Sequence, residues 1–499
     1  MTPDANAAAV LEQALGDAAD PNNPFGWHQA LALDEREAFP ETLAAELARQ
    51  GLLLHFIPKA DGGRLGSITE AALLMRAAAR RDLTAAIALG QAFLGSVPVW
   101  LRGSAGQRGR QAEALSAGRL AALALTEEAH GSDLLATETR ARDGRLTGAK
   151  WLINNATRAE LVTVLARTND REGLGALTLV HLDKRVARGF TPLARLATHG
   201  IRGADISGLA FDGAGPVSHI GNDGSGMALV LEALQVTRIG CAAFSLGAAD
   251  TALRLALDFA QGRKLYGATA FEIPHVRAVL TTAFLDLLIA EAVAVGAWRG
   301  LHTDPGQMSL ASAVTKYFVP TRCEQLIRDV AVVFGARHWL RSGPFQKLMR
   351  DASVVSLFDG STAVNLEGIV LQLSRLKPAT GSAARLARRF DTSSALEPFT
   401  GNGLELMGPG FDDVLDARLP ELEVPDRSQR RTAAAFELAQ RAASLYAAES
   451  FRHLHPAWAE LAAERLTQGR LIDAAAPGDR LLALHREKRW FSHFAIPLH

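Results

Sequence analysis

From Pro40 to about Gly118, apolar residues recur at helical spacing. The stretch ETLAAELARQGLLLHF, residues 41–56, is typical, because Leu and Ala return every three or four positions. Between about residues 121 and 220 the pattern changes to short apolar runs bounded by Gly, Asn and Asp, namely WLINNA, LVTVLART, ALTLVHL and ISGLAFDG. Helical spacing returns at 225–262, 272–302 and 308–335. The pattern therefore predicts helices, then strands, then helices again.

These changes of pattern divide the chain into four regions. They are an N-terminal helical domain at 1–120, a central β domain at 121–224, a helical bundle at 225–377 and a C-terminal helical extension at 378–499. The predicted fold class is mostly α with a central antiparallel β domain. GNDGSG, residues 221–226, opens a helix without a βαβ unit, so we interpret it as a hinge. HREKRW, residues 485–490, predicts a solvated helix end.

Composition and charge limit the kinds of partner that the chain is expected to bind. Lys plus Arg equals Asp plus Glu at 53 each, which gives no reason to expect nucleic acid or an anionic membrane. The longest apolar run contains Asp286 and Glu291, and carboxylates are expensive in lipid, so it predicts a buried helix and no membrane span. No His/Cys cluster has the spacing of a metal site. The N-terminus lacks the pattern of a secretory signal, and we expect a cytoplasmic protein.

Several stretches resemble, in order and spacing, motifs of the acyl-CoA dehydrogenase superfamily of flavoproteins. The resemblance covers about residues 20 to 375 and implies that family's three-part fold, followed here by the extra helical region. The stretches are GLLLHFIPKADGG at 51–63, ALTEEAHGSD at 124–133, GAKWLINN at 148–155, RKLYG at 263–267, VVFGARHWL at 332–340 and RDASVVSLFDGST at 350–362.

The resemblance implies FAD as cofactor, in a site built from two chains, and therefore a homo-oligomer, either dimer or tetramer. It places one group of residues at the flavin ring and a second at the FAD pyrophosphate of a neighbouring subunit, and it adds Ser361 as a further cofactor-binding residue. The first group is Leu125, Thr126, Ser132, Leu152, Ile153 and Asn154; the second is Arg263, Leu265, Tyr266, Gly335 and Ala336. Where the family commonly has an aromatic residue and a threonine, this chain has Leu152 and Asn154.

The resemblance also implies an acyl thioester substrate, carried by CoA or by acyl carrier protein, and an electron acceptor such as an electron-transfer flavoprotein. The substrate contacts would come from Ser132, Arg238, Phe358 and Gly360.

Asp359 stands where the family has the glutamate that removes a proton next to the thioester carbonyl while a hydride leaves the adjacent carbon. Aspartate has the same acid–base chemistry with one methylene less reach. Another branch carries its base at the position of Thr237, which cannot serve. The favoured function is FAD-dependent α,β-dehydrogenation with Asp359 as the base.

Three alternatives stay open at this stage. The chain could be a nitroalkane-oxidase-like flavin oxidase, which uses an aspartate on an acidic carbon, or a flavin monooxygenase, which needs no such base. It could also be a non-catalytic subunit of a hetero-oligomeric dehydrogenase, in which Asp359 is only a helix cap.

Overall fold

The computed structural model describes residues 2–379, 381–422 and 430–499. Its N-terminal part is helical. The side chains of Ser67, Asp82 and Ser104 accept hydrogen bonds from the first amides of α4, α5 and α6, which fixes where these helices begin. The helices are α1 (Asn6–Leu15), α2 (Trp27–Glu35), α3 (Glu41–Arg49), α4 (Ile68–Arg81), α5 (Leu83–Arg102) and α6 (Ala105–Ser116).

The predicted strands form one sheet in the order β6-β7-β3-β2-β4-β5-β8, with β1 also paired to β4. Most neighbours are antiparallel, as predicted, but β1 and β2 each run parallel to β4. The strands are β1 (Ala121–Ala124), β2 (Arg140–Arg142), β3 (Arg145–Asn154), β4 (Leu161–Arg167), β5 (Leu177–Asp183), β6 (Arg188–Leu193), β7 (Ile206–Gly215) and β8 (Val217–Ile220).

The middle of the sheet is buried on both faces. Val162 and Val164 of β4 belong to the core of the β domain itself, whereas Leu165 of the same strand packs with residues of α5 and of the long helix at 226–262. This explains why LVTVLAR is a continuous apolar run without strict alternation. The sheet therefore packs against the long helix at 226–262 that carries Arg238, one of the predicted substrate residues.

The second helical part is built around three long helices that pack against one another and against α4 and α5. Together with the sheet and the C-terminal helices, they confirm the predicted fold class. The elements are α7 (Gly226–Gly262), the short strands β9 (Lys264–Leu265) and β10 (Ala268–Thr269), α8 (Pro274–Thr303), α9 (Met308–Phe334), α10 (Pro344–Ala352) and α11 (Thr362–Leu373).

Three helices of the described chain, α5, α7 and α8, are long and apolar enough to cross a membrane by length and composition alone. The most apolar window of each is buried within the fold, to 100%, 72% and 100% respectively. Their apolar side chains therefore contact other parts of this chain.

The C-terminal extension covers the side of the bundle formed by α8. Its long helix α13 also contacts α9 and α11, and α15 returns to α8. The helices of the extension are α12 (Ser382–Phe390), α13 (Ala433–Leu454), α14 (Ala459–Gln468) and α15 (Ala475–Arg486).

The interpretation of HREKRW as a solvated helix end is wrong for its last residue. Helix α15 ends at Arg486, and the chain then turns inward through Lys488, which has a φ of 50°. Trp490 is completely buried, and its Nε1 donates to Glu12 Oε1 at 2.8 Å. The charged neighbours in sequence hid this burial, because the partner of the indole lies at the other end of the chain.

The segment after Trp490 completes a buried network of charges. Arg76 bridges Asp250 at 3.2 Å and Glu291 at 2.5 Å, and all three side chains are inaccessible to solvent. The amides of Phe491 and His493 donate to Asp250 and Glu291 at 3.0 and 2.6 Å. Buried carboxylates need such partners, so the chain end satisfies groups of α7 and α8.

Candidate active site

The loop after β1 carries three residues predicted to contact the flavin. Its start is anchored to β3, because the Trp151 amide donates to the Thr126 carbonyl at 2.9 Å and Lys150 Nζ donates to the Leu125 carbonyl at 2.8 Å. Leu125 and Thr126 are half-buried, whereas Ser132 is exposed. The loop is therefore fixed at its beginning and open at Ser132.

The sequence analysis did not predict a buried ion pair between Glu127 of this loop and Lys150 of β3. Glu127 accepts from Lys150 Nζ at 2.8 Å and from the Thr139 hydroxyl at 2.6 Å. Burial opposes its charge, but these hydrogen bonds lower the pKa of Glu127 to about 2, and burial lowers the pKa of Lys150 to about 8. Both residues lie inside the motifs that carry the resemblance. The motifs contain both residues, but the sequence does not show that the two side chains contact each other.

The residues predicted to lie behind the flavin ring sit at a bulge where β3 pairs with β7. Leu152 has a φ of 55° and is 46% exposed, which is unusual for a leucine in a central strand. Ile153 is buried, and Asn154 is half-buried. The Asn154 Oδ1 atom is buried and has no hydrogen-bond partner among the described residues. The bulge therefore brings an exposed apolar side chain and an unpaired amide oxygen close together in the chain.

The residues predicted to contact the FAD pyrophosphate meet at the far end of α7. Arg263, Leu265 and Gly335 line one cavity of about 380 Å³. The Arg263 side chain is exposed and makes no ion pair in the described ranges 2–379, 381–422 and 430–499. Tyr266, with a φ of 53°, is 98% exposed, and Ala336 beside Gly335 is exposed. The structure thus brings two distant motifs, RKLYG and VVFGA, to one open surface.

Asp359 lies in a left-handed turn immediately before α11, with a φ of 55°. Its carboxylate Oδ2 accepts from the Cys241 thiol at 3.3 Å, and its carbonyl accepts from Arg238 Nε at 3.0 Å. The next residue, Gly360, has a φ of 94°, a backbone conformation that side chains with a Cβ rarely adopt, so glycine is favoured there. The N-cap of α11 is Ser361, so Asp359 is not a helix cap.

The environment of Asp359 favours its neutral form. Burial raises the pKa of the Asp359 carboxyl, and Lys316, Cys241 and Arg238 offset part of this effect. Burial likewise raises the pKa of the Cys241 thiol, with the carboxylate of Asp359 adding to it. A carboxylate whose pKa is raised by enclosure is suited to accept a proton from carbon.

Two neighbours of Asp359 were not predicted from the sequence. Cys241 was noted there only as one of two cysteines, and Lys316 had no motif role. Lys316 is buried on α9, donates to the Val355 carbonyl at 2.5 Å and lies 5.3 Å from the ring centre of Phe358. Its contact with the segment before Asp359 arises only when α9 packs beside that segment.

The two groups of predicted residues on α7 are far apart within one chain. Arg238 lies within the first half of the helix, whereas Arg263 is its C-cap residue. A separation of 25 positions corresponds to about 37 Å along a helix that rises ~1.5 Å per residue. Asp359 lies beside Arg238, so a single chain holds the base position and the pyrophosphate position about 37 Å apart along α7.

Comparison with known families identifies the class of protein. Models of the acyl-CoA dehydrogenase N-terminal, middle and C-terminal domains match residues 27–119, 122–214 and 224–373. The chain therefore belongs to the acyl-CoA dehydrogenase family. It is an FAD-dependent oxidoreductase of the class that acts on CH–CH bonds.

Individual relatives agree with this assignment. The chain is 27% identical over 344 residues to the probable acyl-CoA dehydrogenase FadE25 of Mycobacterium tuberculosis, a match covering 67% of this chain and 88% of the relative. It is also 27% identical over 344 residues to the cyclohex-1-ene-1-carbonyl-CoA dehydrogenase of Geobacter metallireducens, covering 67% and 90%.

Solved structures extend the likeness of fold. Butyryl-CoA dehydrogenase from Megasphaera elsdenii superimposes with a TM-score of 0.67 at 22% identity, covering 74% of this chain and 97% of that one. An acyl-CoA dehydrogenase from Bacillus anthracis, solved with FAD, gives a TM-score of 0.72 at 17% identity, covering 98% of this chain and 86% of that one. The latter match includes the C-terminal extension.

The residues of this chain fit FAD. The unpaired Asn154 Oδ1 at the β3 bulge can accept a hydrogen bond from a polar edge of the flavin ring, and Leu152 offers apolar surface beside it. The unpaired guanidinium of Arg263, at the mouth of the cavity with Gly335, can bind a phosphate. Among the described residues, no group of three His, Cys, Asp or Glu side chains could hold a metal ion.

Proposed function

We propose that this protein catalyses the α,β-dehydrogenation of an acyl thioester, with Asp359 as the base. The observation that supports this proposal is the position of the Asp359 carboxyl, enclosed beside Cys241 and not used as a helix cap. An acid placed there for stability alone would be expected to pair with the neighbouring cations, half-buried Arg238 and buried Lys316. Arg238 instead donates to the Asp359 backbone carbonyl, and Lys316 donates to the Val355 carbonyl.

The ionised Asp359 carboxylate accepts the proton from the carbon next to the thioester carbonyl. Bound acyl groups displace water from this carboxylate, and desolvation further strengthens it as a base. FAD, when bound, would supply the oxidising power of the reaction as the acceptor of a hydride from the adjacent carbon. The Arg238–Asp359 backbone contact and the small Gly360 hold the turn, so that the carboxylate keeps its direction.

The proposed FAD site uses two copies of the chain. Thr126, Ser132 and Asn154 would hold the ring beside Asp359 of one copy, and Arg263 of a second copy would bind the pyrophosphate. The separation along α7 supports this arrangement, because it exceeds the span between the ring and the pyrophosphate of one FAD. Large apolar side chains also lie exposed near Arg263, where a second copy would cover them: Tyr266, Val332, Trp339 and Leu340.

The proposal also includes the acyl carrier and the electron acceptor. Ser132 and Arg238 are the proposed contacts to the CoA or acyl-carrier arm, an electron-transfer flavoprotein is the proposed acceptor, and a cytoplasmic location stays a prediction.

The test is an anaerobic titration of the FAD-loaded protein, followed by flavin absorbance, with acyl-CoA thioesters, an acyl carrier protein thioester and nitroethane in parallel. Bleaching by a thioester supports the dehydrogenase. Oxygen consumption with nitroethane and no bleaching by any thioester would support a flavin oxidase instead. A flavin that no substrate bleaches would indicate a non-catalytic subunit.

A further inference from the structure

Phe244 forms an aromatic wall beside the proposed base. It lies on α7 three positions after Cys241, so both side chains share one face of the helix. The Phe244 side chain is only 3% exposed, and its ring centre lies 6.5 Å from that of Phe358, the residue before Asp359. Phe358 and Phe244 therefore form a continuous apolar surface next to the Asp359 carboxylate.

The space behind Phe244 is closed by α5. A Cβ placed at Gly90 would lie 2.4 Å from Phe244 Cζ and 3.5 Å from Met75 Sδ. The ring thus occupies the notch that the missing side chain of Gly90 leaves between α4, α5 and α7. The Phe244 ring therefore packs directly against α5 at Gly90. An acyl chain could pass between the ring and α5 only by displacing the ring.

We infer that Phe244, seated against Gly90, closes the acyl end of the site and restricts the enzyme to thioesters with a short acyl group. This inference rests on the proposed function and deepens it, because it names the substrate class. Its physical basis is steric, since a close-packed aromatic side chain admits extra methylenes only by leaving its rotamer.

The experiment compares wild type with Phe244→Ala and the milder Phe244→Leu. FAD-loaded protein is assayed with butyryl-CoA, octanoyl-CoA and palmitoyl-CoA, using an artificial electron acceptor, and kcat/KM is measured for each. One methylene more or less in an apolar pocket changes kcat/KM by about 10–200-fold. We expect wild type to prefer butyryl-CoA, and Phe244→Ala to raise the octanoyl-to-butyryl ratio at least about tenfold.

Phe284 supplies the matched control. It is a buried phenylalanine of α8 that packs against Trp458 and Phe491, away from Asp359. Phe284→Leu should leave the chain-length ratio unchanged, whereas Phe244→Leu should shift it in the same direction as Phe244→Ala. The Leu pair also provides the comparison if Phe244→Ala does not fold.

Two outcomes would overturn the inference while leaving the dehydrogenase intact. One is wild type that oxidises palmitoyl-CoA as efficiently as butyryl-CoA. The other is a chain-length ratio that Phe244→Leu and Phe244→Ala do not change. Wild type that oxidises none of these acyl groups, whether carried by CoA or by acyl carrier protein, would instead refute the proposed function, and the inference with it.

Discussion

At the scale of single residues, Asp359 carries the proposed chemistry. Asp359→Asn keeps the size of the side chain and removes its basicity. Because general-base catalysis contributes about 10²–10⁴-fold, the anaerobic rate of flavin reduction by a substrate thioester should fall by at least that factor. FAD should stay bound, since Asp359 is not among the residues proposed to hold it.

The pH dependence follows from the same group. Burial raises the pKa of Asp359, and only its ionised form accepts a proton, so the reduction rate should fall as the pH drops through that raised pKa. Asp258→Asn is a matched control on the surface of α7 and should change neither the rate nor its pH profile. An Asp359→Asn enzyme that reduces its flavin as fast as wild type would refute the assignment of the base.

The sequence was sufficient for some residues of the site and not for others. Asp359 and Arg238 were located by their places in motifs, and their backbone contact is observed. The thiol beside the carboxylate comes from Cys241, 118 positions earlier in the chain. Such a contact depends on how α7 packs next to the turn before α11, and no local pattern records that packing. The same reason hid Lys316 and the ring of Phe244.

At the scale of elements, the end of α7 is proposed to bind the FAD of a second copy. Arg263→Ala should weaken FAD binding by about 1.5–3 kcal/mol, the usual contribution of a hydrogen bond to a charged group. The measurement is the dissociation constant of FAD for the apoprotein, together with the oligomeric state.

Arg171→Ala, an exposed arginine between β4 and β5, is the control and should bind FAD as wild type does. A monomer that retains FAD tightly, or an unchanged dissociation constant for Arg263→Ala, would contradict the two-chain site.

Element types were predictable because their periods are local. The three long helices and the strands β3, β4, β5 and β7 appear where the apolar pattern placed them. The parallel pairing of β1 and β2 with β4 was not predicted, since strand direction depends on chain connections and not on the period of a strand. The bulge at Leu152 was not predicted either, because the apolar pattern around Leu152 does not mark the local change of backbone conformation.

At the scale of the whole molecule, the C-terminal segment joins the extension to the first helix. Trp490→Ala would leave a cavity and remove the hydrogen bond to Glu12, so we expect a loss of about 3–5 kcal/mol in the free energy of unfolding. Denaturant unfolding provides the measurement.

Leu174→Ala, at an exposed position in the β domain, should change that free energy little. A Trp490→Ala protein as stable as this control would contradict the proposed role of the segment.

A second contact of the extension, made through His302, predicts how stability depends on pH. The Ile68 amide donates to Nε2 of His302 at 3.0 Å, and Nδ1 lies 2.8 Å from the Glu397 carbonyl, which only the tautomer protonated at Nδ1 allows. This ring joins α4, α8 and the extension in its neutral form. Burial lowers the pKa of His302 to about 4, from an ordinary value of about 6.5.

Because the folded pKa is depressed, the contribution of His302 to stability is complete above about pH 6.5 and is lost as the pH falls towards 4. His302→Gln keeps one acceptor for Ile68 and one donor for Glu397 but cannot titrate. As the pH decreases, the free energy of unfolding of this variant should therefore fall less steeply than that of wild type. The two slopes should differ by up to about 1.4 kcal/mol per pH unit. His181 and His455, whose pKa values burial also lowers to about 4, leave a residual slope in both proteins. Identical slopes for His302→Gln and wild type would mean that His302 does not remain neutral at this junction.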